Sequence, residues 1–489
     1  MATLSSALNY ALSGLSVTAA QSALVSRNVT YAGDDNYTRK TAEIFTLPGG
    51  APAVSNYGRS MDKQLLDKLL GSTSDASAKQ VIVDALTRMS AMTGDPEADG
   101  SLAAEIAKLQ QSLRIYETNP SDPALASTAL ERARTLASKL NGAANEITDI
   151  RATADRAMVQ SVDRINTLLS QFKVVNDSIV RGAGTAGELA ENLDQRDAIL
   201  KRLSDEIGIR TATRPNNDVL IYAEGGAALF EGSPRSVTMQ RTSLFDPGTL
   251  GKAVYIDGVA VTGPSTPMAG SGGKLMALAE VRDTLSLTFQ RQIDEIAGGL
   301  ILNFAESDQL PTPSLPGVAG LFVDVNGGLP VPGLASIGLA SRIAINALAD
   351  PQSGGTPSLI RDGGFGGAPY VYNTLQQSAF QGRIGQLIEA FDIAVPFDPG
   401  AGLGANATLR NFSVQSASWL EGQRQASQIA SDSAAAGKVR ANESLLRVTG
   451  VNIDQEMASL LDLEKSYQAS AKVMSVIDAM LAALLDAVR

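Results

Sequence analysis

The chain has 489 residues, 44% of them hydrophobic, and a net charge of −11. That is long enough for more than one core and too acidic for the clustered Lys and Arg that nucleic acid demands. The absence of Cys and His removes disulfides, thiolate metal sites and the commonest general base, so catalysis and cofactor binding are not expected.

The chain opens on a helical pattern. Leu4, Leu8, Leu12 and Leu15 recur at steps of four, four and three, with Ala7, Ala11, Ala19 and Ala23 around them. These apolar residues are spaced, not contiguous, and no Lys or Arg precedes Arg27, so no cleaved signal peptide is expected. No apolar run approaches the roughly 18 residues of a membrane span. A polar stretch from Ser26 to Lys40 turns at Gly33 to Asn36, and residues 41–60 read as extended.

Helical spacing returns at Met61–Leu70, at Val81–Met92 and, most regularly, at Leu102, Ile106, Leu109, Leu113 and Tyr116. Asn119-Pro120-Ser121-Asp122-Pro123 stops that helix and starts the next, with Asp122 as cap and Pro123 at the first helical position. The pattern from Leu125 to Val180, if unbroken, spans about 85 Å, a length suited to rods and bundles. Glu188–Ile207 folds back after a glycine loop. From Ile209 to Val261 the period changes to two, with strands expected at 219–222, 228–230, 236–239 and 254–256. Helix resumes over Lys274–Phe304. Residues 308–372, rich in Gly and Pro, read as loops with a few short strands, and 307–373 as a surface excursion on which little core depends. Helices follow at about Thr374–Phe391 and Ala405–Val448.

The last helix carries the longest seam. Ile453, Leu460, Tyr467, Met474, Leu481 and Val488 stand at seven-residue intervals, joined by Met457, Leu463, Ile477 and Leu484. Asn452 caps it, Gln455 completes a capping box, and Glu456 falls off the main row. Burying one such side chain is worth about 1.5–3 kcal/mol, so the seam must face something, and the N-terminal helix is the candidate.

The fold class is therefore mainly α with a smaller β part. An elongated rod of long helices, its N- and C-terminal helices pairing as a coiled coil, carries a small antiparallel β subdomain. The expected divisions are an axial helix with extended segment at 1–60, a long-helix rod at 61–210 and the β subdomain at 211–273. A rod helix at 274–306, a Gly/Pro-rich variable segment or reduced outer domain at 307–373, rod helices at 374–451 and the C-terminal axial helix at 452–489 complete the chain.

Three motif-like stretches are set aside. Gly182–Gly187 has dinucleotide-binding spacing but follows a helix pattern, not a strand. Gly270–Lys274 lacks the first Gly and the Ser or Thr of a phosphate loop. Asp324–Gly328 places glycine too early for a calcium loop.

Gly450–Met457 with Leu463–Ala471 resembles the C-terminal motif of flagellar axial proteins. Ser13-Gly14-Leu15, Ser26-Arg27-Asn28-Val29 and Tyr37-Thr38-Arg39 resemble their N-terminal motif. Asn119-Pro120-Ser121-Asp122-Pro123-Ala124, Leu193-Asp194-Gln195-Arg196-Asp197 and Gly272–Leu275 are similar to the hook–filament junction branch of that family. The chain departs from the motif at Asp34-Asp35-Asn36. The resemblance implies Asn28, Tyr37, Thr38, Arg39, Asn119, Pro120, Asp194, Gln195, Arg196 and Asn452 as family-motif residues. It further implies a structural, self-assembling subunit without catalysis, exported through the flagellar type III system to the hook–filament junction outside the cell. Its implied partners are further copies of itself, the hook protein, the second hook–filament junction protein and a dedicated cytoplasmic chaperone on the C-terminal helix. Alternatives are another axial component, such as a hook or distal-rod subunit, or a cytoplasmic helical scaffold or enzyme, since composition alone reads as cytoplasmic.

Overall fold

The computed structural model describes residues 2–48, 50–93, 100–182, 186–263, 266, 268 and 270–487. It is 61% helical with 11% strand, in small antiparallel sheets. Helix α1 (Ala2–Thr30) leads into a hairpin of β1 (Lys40–Thr46) and β2 (Pro52–Arg59), paired from Lys40↔Arg59 with a bulge at Glu43/Ile44. Then come α2 (Lys63–Thr93), α3 (Leu102–Thr118), α4 (Pro123–Arg181) and α5 (Ala186–Glu206). Two three-stranded antiparallel sheets follow, β3 (Ile209–Thr213), β4 (Val219–Ala223), β5 (Ala228–Phe230) and β6 (Val237–Met239), β7 (Val254–Ile256), β8 (Val259–Ala260).

Helix α6 (Lys274–Glu280) runs through a π turn at Val281–Leu285 into α7 (Ser286–Asn303). Beyond it lie β9 (Phe322–Asp324), β10 (Ile343–Ile345), the single-turn α8 (Leu359–Asp362), α9 (Gly382–Ala390), β11 (Ala394–Pro396) and β12 (Asn406–Thr408). The chain closes with α10 (Leu409–Thr449) and α11 (Ile453–Ala487).

The long helix forms as its caps direct. Asp122 accepts a hydrogen bond from the Ala124 N–H at 2.8 Å, Pro123 opens the first turn, and 59 residues run without a break to Gly182 at φ +78°. Its N-terminal half packs with α3, α7 and the start of α10 in one hydrophobic core. Its C-terminal half packs with α5, the two three-stranded sheets, α6 and the end of α10 in a second. Between them Arg282, fully buried at the π turn, pairs with Asp155 at 2.6 Å, and Arg151 donates to the Arg282 carbonyl at 3.0 Å. Asp155 also accepts from the Thr242 N–H at 3.0 Å, so the charges fix the loop before β7. An isolated buried charge would be costly; here Arg282 and Asp155 are paired, and Arg151 is hydrogen-bonded to backbone carbonyls.

One expectation fails. Residues 307–373 are not a surface excursion with little core: Leu321, Phe322, Leu339, Ala340, Ile343 and Ile360 are buried in the first core. Phe322 meets Phe304, the residue that ends α7, edge to face at 5.0 Å. Gly and Pro density forbids regular structure without forbidding burial, because irregular backbone can satisfy its polar groups on carboxylates and other loops. The helix expected over Thr374–Phe391 is also shorter, starting only at Gly382.

The set-aside motifs are used up locally. Gly182 ends one helix and α5 begins at Ala186, with 183–185 outside the described residues. The Gly272 N–H is taken by Glu224 at 3.0 Å, so an anion of the chain itself fills that loop. Asp324 is held by Arg342 through two bonds of 3.1 Å.

Candidate functional site

Five of the ten family-motif residues converge on one joint. Along residues 37–40 the polar side-chain tips alternate between two sets of partners. Tyr37 and Arg39 turn toward the terminal helices, and Thr38 and Lys40 toward α5. On the first side, the Tyr37 hydroxyl donates to Asn28 Oδ1 at 2.8 Å, and Asn28 Nδ2 donates to Glu456 at 3.0 Å. Arg39 Nε donates to the other Glu456 oxygen at 2.6 Å. Asn28 also exchanges bonds with the Lys40 backbone, donating to its carbonyl at 2.9 Å and accepting from its N–H at 3.1 Å. Burial pushes the Tyr37 phenol up to about 12, against the pull of Arg27, which keeps it a donor.

On the second side, Thr38 Oγ1 donates to Asp194 Oδ1 at 2.6 Å and Lys40 Nζ lies 2.9 Å from Asp194 Oδ2. Arg59, leaving the hairpin, bridges Asp194 at 3.1 Å and Asp197 at 2.7 Å. Burial lowers Lys40 and raises Asp197; the Asp194 bond opposes the first shift and Arg59 the second. Arg27 of α1 pairs with Glu191 of α5. The joint thus ties α1, β1, α11 and α5 together with charge-assisted bonds, which are stronger and more directional than neutral ones.

The remaining motif residues sit differently. Arg196 is buried and donates to the Asn217 carbonyl at 2.6 Å, whereas Gln195 is exposed. Asn452 caps α11, its Oδ1 accepting from the Gln455 N–H at 3.2 Å. Asn119 and Pro120 lie apart from the joint, in the α3–α4 turn beside the first core, where the Pro120 carbonyl accepts from Arg361 at 2.9 Å.

Helix α11 lies along α1, and its seam is only partly covered. Ile477 is buried; Leu460, Leu463, Met474 and Leu481 are half-buried; Ile453 (51% exposed), Met457 and Tyr467 face outward. A strict seven-residue row drifts about 20° per heptad around a straight helix, so one neighbour cannot cover all of it. The side chains of Leu4, Leu484 and Val488 lie outside the described residues. On α1, Leu8 and Leu15 are half-buried and Leu12 is 46% exposed, while Ala11 and Val17 are buried. The two helices pass near each other at Gly14, where a Cβ would make ordinary contact with Ser470 Oγ at 3.8 Å. Val473, Val476 and Met480 form a further outward apolar row.

Sequence reasoning missed Lys40 and Arg59 and gave Glu456 and Asp197 no role beyond their place in the quoted motifs. Glu456 reads in the sequence as a residue off the apolar row, yet it is 1% exposed and receives Asn28 and Arg39. Among the described residues no group of His, Cys, Asp and Glu is placed to hold a metal ion. A groove of about 950 Å³ between α2, α4, α5 and α10 is lined by interspersed charges, including Lys201, Lys438, Asp163 and Asp205.

Comparison with known proteins finds two family matches. The family described as the flagellar hook-associated protein FlgK helical domain matches residues 86–310. The flagellar basal body rod FlgEFG protein C-terminal family matches residues 444–487. Flagellar hook-associated protein 1 of Salmonella typhimurium is 26% identical over 270 residues, covering 53% of this chain and 48% of that protein. That of Escherichia coli (strain K12) is 27% identical over 270 residues, with the same shares. The chain therefore spans about half the length of the relatives it matches. The flagellar hook junction protein FlgK from Burkholderia pseudomallei superposes with a TM-score of 0.43 at 22% identity, over 53% of this chain and 46% of that one.

Proposed function

We propose that this chain, identified by its two matching domains as a flagellar axial protein related to flagellar hook-associated protein 1, is a structural subunit of the hook–filament junction. It has no catalytic role in this reading. The subunit leaves the cell through the flagellar export system and assembles outside it by its terminal helices, with hook protein on one side and the second junction protein on the other. A cytoplasmic chaperone covers α11 before export. Residues 1–60 and 452–489 form the inner axial unit, and 61–451 the body.

One observation supports this most: α11 is anchored at its base by a buried ionic joint while its apolar rows stay largely uncovered along its length. Oriented apolar surface on a fixed helix suits packing against further copies of itself, since contiguous exposed apolar surface marks interaction sites. The interface residues are those of the two seams, including Leu8, Leu12, Leu15, Ile453, Leu460, Tyr467 and Leu481.

The test is Leu481→Asp against Lys472→Asp. The first is expected to leave melting of the 61–448 body unchanged, weaken chaperone capture and give cells whose hooks lack filaments. The second, on an exposed position, is expected to do much less. Swimming Leu481→Asp cells, or equal behaviour of the two variants, would refute the reading.

A further inference from the structure

The irregular layer after α7 has few strands of its own, so something else must hold it to the rod. Three carboxylates on or just past α7 do so, each through backbone amides. Asp294 accepts from the N–H groups of Gly338 at 2.7 Å and Ala340 at 2.8 Å. Glu295 accepts from the Asp398 N–H at 2.9 Å. Glu306 accepts from Gly364 at 2.9 Å and Gly366 at 3.2 Å. Gly338 (φ +78°) and Gly364 (φ +98°) are left-handed, the conformation that turns neighbouring amides into a concave anion seat. The loops supply the seats and the helix supplies the anions.

These carboxylates differ from those at the axial joint, where Asp194 meets two cations and Glu456 meets one. Asp294 and Glu306 are each 2% exposed and Glu295 is 7% exposed. The charged groups facing them are Arg342 for Asp294, Asp398 for Glu295 and Arg383 for Glu306, and none of these is bonded to the carboxylate it faces. Arg342 is itself engaged by Asp324, and Arg383 donates to the Phe304 and Ala305 carbonyls.

We propose that α7 is a carboxyl latch, holding the loop layer between residues 307 and 401 on the rod by buried carboxyl–amide contacts that no cation neutralises, so that it grips more tightly at mildly acidic pH, where the burial of charge is relieved, than at alkaline pH. Burial raises all three groups, and it raises Asp294 to about 7, opposed by the Ala340 and Gly338 amides. When the layer opens, Asp294 meets water and returns toward its ordinary 3.8. The docked state then binds the proton more strongly than the open state. The extra grip is complete below the ordinary value and lost as pH rises through about 7.

The experiment is hydrogen exchange on the full chain at pH 5.5 and 8.0, with rates corrected for the intrinsic effect of pH. Peptides covering 336–340 are expected to open roughly thirtyfold more readily at pH 8.0, while α4 peptides change little. Asp294→Asn keeps an acceptor oxygen and removes the titration, so it should flatten that difference. Equal or easier opening at pH 5.5 would overturn the latch, as would an Asp294→Asn protein with the parent's pH dependence. Should Asp294→Asn not fold, Glu306→Gln poses the same question at peptides covering 364–366, with the same two outcomes.

Discussion

Helices α4 and α11 are both long, amphipathic and explicitly capped, yet one is enclosed and the other stands nearly bare. Along α4 a buried residue recurs at nearly every turn, and charges such as Arg151 and Asp155 are enclosed with their partners. Along α11, among the described residues, only Glu456 and Ile477 are buried. The difference is in the neighbours. Helix α4 has helices and sheets on several sides, whereas α11 has α1 and the hairpin end. Amphipathic spacing states that a face needs cover; it does not state whether this chain or another supplies it.

The contrast breaks most visibly under core truncation. Phe172 is fully buried and meets Phe230 edge to face at 4.8 Å, so Phe172→Ala should cost about 3–5 kcal/mol in denaturant unfolding. Ile477→Ala, in the terminal pair, should leave that transition where it was. Equal shifts would mean that the terminal pair and the body unfold as one unit.

A smaller effect sharpens the place of the loop layer. Ile360 is 2% exposed in the first core, so Ile360→Ala should destabilise the body by about 2–3 kcal/mol. Deleting 351–368 would remove this side chain and the Gly364 and Gly366 amides that Glu306 holds, so a larger loss is expected there. An unchanged midpoint for Ile360→Ala would return the layer to the surface.

Next in size is the joint. Glu456→Ala strips the acceptor from Asn28 and Arg39, at a local cost of about 1–3 kcal/mol. Exchange should rise at 37–40 and 453–460 and stay constant along α4. Glu456→Gln, which can still accept from Asn28, should recover part of the protection.

The smallest expected effect is a surface control. Arg424 beside Glu421 holds that carboxyl down at about 2, although burial opposes the shift. A depressed acid adds stability above its ordinary 4.5 that is lost as pH falls through about 2. Because the pair is at the surface, partly open to water and three residues apart on one helix, Glu421→Gln should cost less than about 1 kcal/mol at pH 7. Acid titration of parent and variant should converge near pH 2; a loss comparable to Phe172→Ala would contradict the division between core and surface.

Most of the helices, the four strands β4–β7 and the motif residues at the joint were legible in the residues alone. Those features are local: a period, a cap at Asp122 or Asn452, a proline at 123 or a change of period at Ile209 acts within a few residues. Tertiary structure alone decided where the charges went. Asn28 and Glu456 are 428 positions apart, and Thr38 and Asp194 are 156 apart. Nothing in the spacing around Glu456 distinguishes a buried acceptor from an acid placed near a helix N-terminus. The burial of Phe322 and Ile360 was likewise invisible, since irregular backbone has no period to read and its amides are satisfied by carboxylates on a distant helix. Local pattern fixes which backbone conformation is cheapest, but a buried polar group or an aperiodic loop is stable only when a remote partner arrives, and only the folded chain supplies that partner.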